Sequence, residues 1–377
     1  MIRALRTTTK GIDWIMIASI VPIMLGSIAT MTSFGGTKVF FNHQLLWLGI
    51  GLCLAFIISQ SDMRFFRDSR YVVLSYLCSL ALLVLVLLVG KTVKGSQSWF
   101  SFGSFSFQPT DIVKLLVIIV LAKYLSRRHV EIARIKHLLV SVLYVLVPVG
   151  LILLQPDFGS AMVLAAIWLG MALIAGIRKR HILLVGGIAL VAFLVAWFGL
   201  FKPYQKARIE TFLNPTADIR GSGYNAYQSV IAVGSGGVLG KGFGYGTQSR
   251  LNYLPEYQTD FIFAAFAEEW GFFGALIIIG SFCVFIWRII VHARRGASNF
   301  ETLFCAGYAI CIFSHVVVNI GMNMGIMPVT GIPLPFMSYG GSHLLGECIG
   351  LGIILSMARY ERASHPDDMH NEFFGYA

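Results

Sequence analysis

Long apolar stretches separated by short polar ones run from end to end of this chain. A bilayer-spanning helix needs about 20 mostly apolar residues. Ten stretches approach that length: 12–32, 44–60, 71–90, 111–126, 138–155, 158–176, 181–201, 261–290, 302–325 and 343–360. The fourth is the most polar, since it carries Asp111, Lys114 and Lys123. The eighth exceeds one crossing, and Trp270 and Trp287 are placed to mark its two membrane interfaces. On that reading residues 260–269 form a helical start at or above the outer headgroups. The pattern predicts an all-α polytopic membrane protein, one integral membrane domain over 1–377. It has ten transmembrane helices and a long ordered extracytoplasmic loop, 202–260, between helices seven and eight.

Composition agrees. Of 377 residues, 56% are hydrophobic and only 12% charged, against about 25% charged in soluble domains. The first apolar run follows Arg3, Arg6 and Lys10 without a small-residue cleavage site, so it reads as a helix rather than a cleaved signal. The formal charge of +11 is distributed by topology and does not imply nucleic acid. Alternate loops hold Arg3, Arg6, Lys10; Arg64, Arg67, Arg70; Arg127, Arg128, Arg134, Lys136; Arg178, Lys179, Arg180; Arg288, Arg294, Arg295; and Arg359, Arg362. The opposite short loops hold only Lys38, Lys91 and Lys94. The positive-inside rule then places both termini in the cytoplasm. The six cysteines lie inside apolar runs without zinc-ligand spacing and read as packing residues.

Polar complexity gathers on the opposite, outer side. The loop 202–260 carries enough tyrosine and phenylalanine to be ordered, and 223–233 fits a short interfacial helix. The glycine-rich run 234–246 misses both phosphate-loop templates, because Ser235 stands where GxxxxGK needs glycine. It is either a turn-rich packing loop or backbone brought close to a glycan or pyrophosphate. Trp99 precedes Gln108-Pro109-Thr110-Asp111, in which Asp111 and Lys114 sit i,i+3 and can simply pair. Gln155-Pro156-Asp157 is a minimal turn where Asp157 can serve as a cap. Residues 327–342 hold three closely spaced prolines before Ser338-Tyr339-Gly340-Gly341-Ser342, too broken for a regular span. Glu256-Tyr257-Gln258-Thr259-Asp260 runs directly into an apolar helix, and carboxylates there are costly and usually functional. A helix cap at Asp260 is the competing explanation.

Together these motifs resemble the SEDS (shape, elongation, division and sporulation) family of peptidoglycan polymerases. The residues that carry the resemblance are Gln108-Pro109 with Lys114, Gln155-Pro156-Asp157-Phe158-Gly159, and Gly234-Ser235-Gly236-Gly237 with Gly240 and Gly242. Further ones are Tyr253-Leu254-Pro255-Glu256, Thr259-Asp260-Phe261-Ile262-Phe263, Glu268-Glu269 with Gly271, and Pro335 with 338–342. The match covers nearly the whole chain after residue 10. Gly246-Thr247-Gln248-Ser249 and Pro328 to Pro333 look like the elongation type more than the division type. Two positions depart from the family pattern: Asp111, where glutamate is usual, and His343, where a small residue is usual.

The resemblance implies an inverting glycosyltransferase in the bacterial cytoplasmic membrane, polymerising lipid II at its outer face during cell elongation. A sugar hydroxyl needs a general base, and Asp260 matches the family's essential aspartate. The leaving pyrophosphate needs cations, for which Lys114 and Arg208 are the candidates, with a divalent cation (Mg or Mn) as the cofactor that could join them. Trp99, Gln108, Asp111, Gln155, Asp157, Glu256, Thr259, Ser338, Tyr339 and Ser342 complete the expected substrate site. No transpeptidase serine is evident, so cross-linking falls to a class B penicillin-binding protein, alongside other elongation-complex membrane proteins. A lipid II flippase and a division-type polymerase are the alternatives. A secondary transporter is disfavoured by the lack of internal repeats.

Overall fold

The computed structural model describes residues 13–33, 39–62, 66, 68–93, 96–102, 105–127, 135–200, 203–214, 223–251 and 253–361. Of the basic residues used above, Arg3, Arg6, Lys10, Lys38, Arg64, Arg67, Lys94, Arg128, Arg134 and Arg362 lie outside the described residues.

The helices are α1 Trp14–Ser33, α2 Val39–Gln60, α3 Ser69–Val89, α4 Pro109–Ser126, α5 Ile135–Leu154, α6 Phe158–Ile174 and α7 Lys179–Val195. They continue with α8 Pro203–Leu213, α9 Tyr224–Ser235, α10 Thr247–Arg250, α11 Ile262–Arg295, α12 Asn299–Asn323 and α13 Gly341–Glu361. Among the described residues, eight are long and apolar enough to cross a membrane. Of the other two predicted spans, α4 carries Asp111, Lys114 and Lys123, and α6 has 17 residues. The chain is a multi-pass membrane protein whose expected ten-span count depends on those two.

The all-α expectation needs one correction. Between α3 and α4 the chain forms a three-stranded antiparallel sheet, β1 Lys91–Val93, β2 Ser96–Phe102 and β3 Phe105–Phe107, in that order. Trp99 lies on β2 opposite Lys91. Trp99, Phe100 and Phe102 are aromatic residues that suit a strand, but 96–102 lacks the strict apolar–polar alternation that would have marked it. The loop 202–260 is correspondingly not a plain loop: α8, α9 and α10 lie within it, with α9 where a short helix was expected.

Burial decides the packing. The core cluster joins α1, α4, α6, α11, α12 and α13, and α13 runs along α2 at a close crossing. A Cβ at Gly51 would stand 2.8 Å from Cys348 Sγ, and one at Gly352 would stand 2.8 Å from the Ala55 carbonyl. Small residues let helices approach this closely where lipid supplies no hydrophobic drive between them. Cys305 and Cys348 are buried, and all six cysteines are free thiols.

At the basic-loop end, Asp13 caps α1 by accepting from the Met16 amide. It also accepts from Arg288 Nη2 at 2.6 Å and lies 2.7 Å from His292 Nε2. Burial works against its charge, the Arg288 and His292 hydrogen bonds outweigh it, and the carboxyl sits below its usual range. This fastens the start of α1 to the end of α11.

The basic loops give an orientation that labelling can check. In a cysteine-free background, Arg250→Cys is expected to react with a membrane-impermeant thiol reagent on intact cells, and Arg178→Cys only after lysis. Both positions are exposed. Labelling of Arg178→Cys from outside would invert the topology.

Candidate active site

Residues 255–261 form a turn that opens α11. The helix cap falls at Phe261, not Asp260, so Asp260 lies one residue upstream of the cap position. Its half-buried carboxylate faces a glycine: a Cβ at Gly331 would be 3.5 Å from Asp260 Oδ2. The turn's backbone is tied down one carbonyl after another. Gln258 O accepts from the Tyr339 amide at 2.9 Å, and Thr259 O from Ser338 Oγ at 2.6 Å. Asp260 O accepts from the side-chain amides of both Asn319 and Asn323, each at 3.0 Å. Glu256 holds a left-handed backbone, φ 55°, and its Oε2 accepts from Thr259 Oγ1. Such a conformation persists in a residue like glutamate only where its surroundings over-determine it.

Asn319 and Asn323 belong to a polar stripe on α12. With His315 they recur every four residues and so share one helix face. Asn319 also donates to Ile332 O at 2.7 Å, and Asn323 Oδ1 accepts from the Ala264 amide in the first turn of α11. The stripe therefore fastens the Asp260 turn to the proline-rich segment 327–340. This face was readable from the sequence as three polar residues at helical spacing in an apolar run, but the reading above missed it.

His315 leads to a second cluster. Its Nδ1 lies 3.1 Å from the Pro333 carbonyl. A carbonyl only accepts, so Nδ1 carries the proton and Nε2 is free to accept from Lys114 Nζ at 3.2 Å. Lys114 also pairs with Asp111 Oδ1 at 3.2 Å, and both side chains are about 5% exposed or less. Asp111 Oδ2 accepts from Ser342 Oγ, and Oδ1 lies 3.3 Å from His343 Nδ1. His343 stacks on His315 at 5.0 Å, and its Nε2 lies 2.8 Å from Glu347 Oε1 without hydrogen-bond alignment. Glu347 Oε2 in turn accepts from the Phe336 amide, whose φ is 57°. His343, which departs from the family pattern, thus extends an ion-pair network. Lys114 was expected at the pyrophosphate; the structure commits it to Asp111 and His315.

The glycine-rich loop settles into the packing alternative. Gly271 breaks α11 with φ 66° and ψ −162°, a conformation open essentially to glycine. A break leaves main-chain donors and acceptors unpaired. The loop supplies them: Lys241 and Gly242 amides donate to Glu268 O and Glu269 O, each at 3.0 Å. Phe272 and Phe273 amides donate to Gly237 O and Val238 O. A Cβ at Gly240 would overlap the Glu269 carbonyl, and one at Gly271 would overlap the Gly240 amide. Lys241, the cation of the phosphate-loop look-alike, pairs with Glu268 at 2.7 Å. Glu269 accepts from Ser33 Oγ, which joins the end of α1 to this block.

The remaining expected residues fall into two places. Gln108 donates to Asp157 Oδ2 at 3.1 Å, while Asp157 Oδ1 caps α6 through the Ser160 amide. Gln155 is buried, donates to Leu83 O, and accepts from Ser96 Oγ of the sheet through its own carbonyl. These brace the sheet and the α5–α6 turn. Tyr339 places its ring edge-on against Phe40 at 5.1 Å, with its hydroxyl 3.3 Å from His43 Nδ1. Arg208 stands exposed on α8. Among the described residues, no three His, Cys, Asp or Glu side chains are arranged to hold a metal ion.

The family described as "Cell cycle protein" (FTSW_RODA_SPOVE) matches residues 7–363. This chain belongs to that family. It is 38% identical over 361 residues to the "Probable peptidoglycan glycosyltransferase FtsW" of Coxiella burnetii, covering 92% of this chain and 95% of the relative. It is 34% identical over 357 residues to the "Peptidoglycan glycosyltransferase MrdB" of Escherichia coli, covering 93% and 94%. The solved Rod shape determining protein RodA of Thermus thermophilus superposes with a TM-score of 0.69 at 32% identity, covering 94% of this chain and 98% of that one. A chain solved in "Structural coordination of polymerization and crosslinking by a peptidoglycan synthase complex" superposes better, at 0.81 and 33% identity, covering 94% and 99%.

Two outcomes follow for this FtsW/RodA/SpoVE chain. Gly271→Ala is expected to lower thermal stability in detergent by about 1–3 kcal/mol or more. Gly234→Ala, where a Cβ meets nothing within 4 Å, should stay near wild type, and equal melting of the two would refute the clash. Lys114→Met leaves Asp111 charged and buried, which costs about 3–5 kcal/mol. Adding Asp111→Asn should recover most of that folded yield, and a double variant as unstable as the single one would remove the pairing argument.

Proposed function

We propose that this peptidoglycan glycosyltransferase polymerises lipid II at the outer face of the cytoplasmic membrane during cell elongation, with Asp260 as general base. The observation that carries the reading is the anchoring of Asp260. Three successive carbonyls, 258 to 260, are held by Tyr339, Ser338 and the Asn319–Asn323 pair, while the carboxylate faces Gly331. A base that takes a proton from an attacking hydroxyl must be held in register with it. Here the main chain does that, and the side chain stays on the substrate side of the turn.

In this mechanism the acceptor's GlcNAc 4-hydroxyl gives its proton to Asp260 and attacks the anomeric carbon of the donor MurNAc. The bond to undecaprenyl pyrophosphate breaks with inversion, and the pyrophosphate leaves with the electron pair. Arg208, exposed on α8, is available to the leaving group. Lys114 acts at a distance, through His315 on the segment that carries Gly331 and Pro333. A divalent cation (Mg or Mn) has no preformed three-ligand site among the described residues. Gly246-Thr247-Gln248-Ser249 and the 328–333 segment favour the elongation type, supported by similarity to MrdB and RodA, while FtsW-named relatives make the division type the alternative. Cross-linking would come from a class B penicillin-binding protein. Both termini lie in the cytoplasm. Against a flippase, the polar stripe and the ion-pair network sit at one end of α4, α12 and α13. They do not extend through the bundle, although α12 is more polar there than its composition suggested.

Asp260→Asn separates the proton-accepting role from a structural one, because the amide keeps size and hydrogen-bonding capacity but is not a base. With purified protein, its partner and labelled lipid II, the variant is expected to lose about 10²–10⁴-fold in polymer formation at normal abundance. Polymerisation near the wild-type rate would end the assignment. Rescue of cells lacking their elongation polymerase, but not of cells lacking the division one, would fix the branch.

A further inference from the structure

A cavity of about 330 Å³ opens far from Asp260, between the first turns of α3, the last turns of α4 and α5. Its lining is of two kinds. Val72 and Val120 form a buried apolar floor, and Val73, 57% exposed, stands at the mouth. Around them are Lys123, Arg127, Ser69 and three tyrosines, Tyr76, Tyr124 and Tyr144. Nothing in the glycosyl-transfer reading uses these residues.

The tyrosines make a fixed wall. Tyr76 donates its hydroxyl to Tyr144 O at 3.0 Å, and their rings meet edge to face at 5.6 Å. Tyr124 packs edge to face on Tyr144 at 5.5 Å and reaches His137 Nδ1 at 3.2 Å. Tyrosine rings favour headgroup depth, where one end is apolar and the other wet. Lys123 and Arg127 sit i,i+4 at the end of α4, so both cations fall on one side of the helix. The helix dipole explains one cation at that end. It does not explain a second facing the same aromatic-walled cavity. Beyond the mouth, Val73 and Leu77 on α3 and Leu139, Leu143 and Leu146 on α5 are exposed apolar residues leading away along the helices.

We propose that this cavity binds the headgroup of an anionic phospholipid. The phosphate lies between Lys123 and Arg127, the glycerol oxygens lie near Ser69 and the tyrosine hydroxyls, and the acyl chains run out past Val73. Basic pockets between transmembrane helices on the cytoplasmic side recognise anionic headgroups in this way. The proposal is independent of the catalytic assignment. It needs the pocket at headgroup depth, whichever leaflet that is.

The test uses the full-length chain purified in a neutral detergent and native mass spectrometry, with phosphatidylglycerol or phosphatidylcholine added. Wild-type protein should retain phosphatidylglycerol in preference to phosphatidylcholine. The double change Lys123→Gln, Arg127→Gln should weaken phosphatidylglycerol retention roughly thirtyfold, two charges' worth, with phosphatidylcholine retention and thermal melting unchanged. Val73→Trp keeps both charges and fills the mouth, and it should also release the lipid. Undiminished phosphatidylglycerol retention by both variants, or equal retention of the two lipids by wild type, overturns the proposal. So does displacement of phosphatidylglycerol by millimolar inorganic phosphate, which would make this a simple anion site.

Discussion

A helix broken near the membrane surface must find new partners for its main chain, and this requirement organises the outer half of the protein. Each backbone group left unpaired away from water costs as much as a lost hydrogen bond or more. At Gly271 the partners come from residues 237–242, whose amides and carbonyls complete the ladder on both sides of the break. The approach is so close that Gly240 and Gly271 have no room for a Cβ. Glu268, fully buried, then fixes the loop by accepting from Thr247, Gln248 and Lys241. Glu268 and Glu269, two of the residues that carry the family resemblance, are thus engaged in holding the broken helix to its neighbours. The short segment before the break is left pointing back toward Asp260.

The same half carries a second constraint, the burial of charge. Asp111, Lys114, His343 and Glu347 lie within helices whose other faces meet lipid or apolar core. Charges there persist because each has a partner, and the partners are backbone as well as side chain. His315 spans the two systems, touching Lys114 with one nitrogen and Pro333 O with the other. One turn further on, Asn319 holds both Ile332 O and Asp260 O. An irregular, proline-rich segment at membrane depth is tolerable only because protein covers it. Here its carbonyls at 332 and 333 accept from Asn319 and His315 of α12, and Leu334 O accepts from the Met337 and Ser338 amides of its own turn. The cluster around Lys114 and the turn around Asp260 are therefore joined by one continuous chain of hydrogen bonds through α12 and the 332–333 carbonyls.

The ends of the bundle differ in character. At the basic-loop end a single carboxylate, Asp13, joins two helices through Arg288 and His292. The same end carries the aromatic-walled cavity beside Lys123 and Arg127. Between the two ends the core cluster is apolar.

The spans, their order and the basic-loop alternation were legible in the sequence, because hydrophobic length and loop charge are local properties. Every predicted span contains a helix. The short helix near 223–233 and the weight on Asp260 came from local pattern and family resemblance. The sheet at 91–107 did not show, since strands of three to seven residues leave little periodicity to read. Position along the chain offered the i,i+3 pairing of Lys114 with Asp111 but not the partners from distant helices. His315, brought by α12, is the second partner of Lys114. The glycine-rich run left packing and ligand proximity open until the break at Gly271 placed Glu268 under Lys241. A cap at Asp260 competed with the catalytic reading until the turn put Phe261 in the cap position. Residue type and spacing announce which side chains are costly in a membrane. Only the packing of distant helices decides which of them satisfy one another.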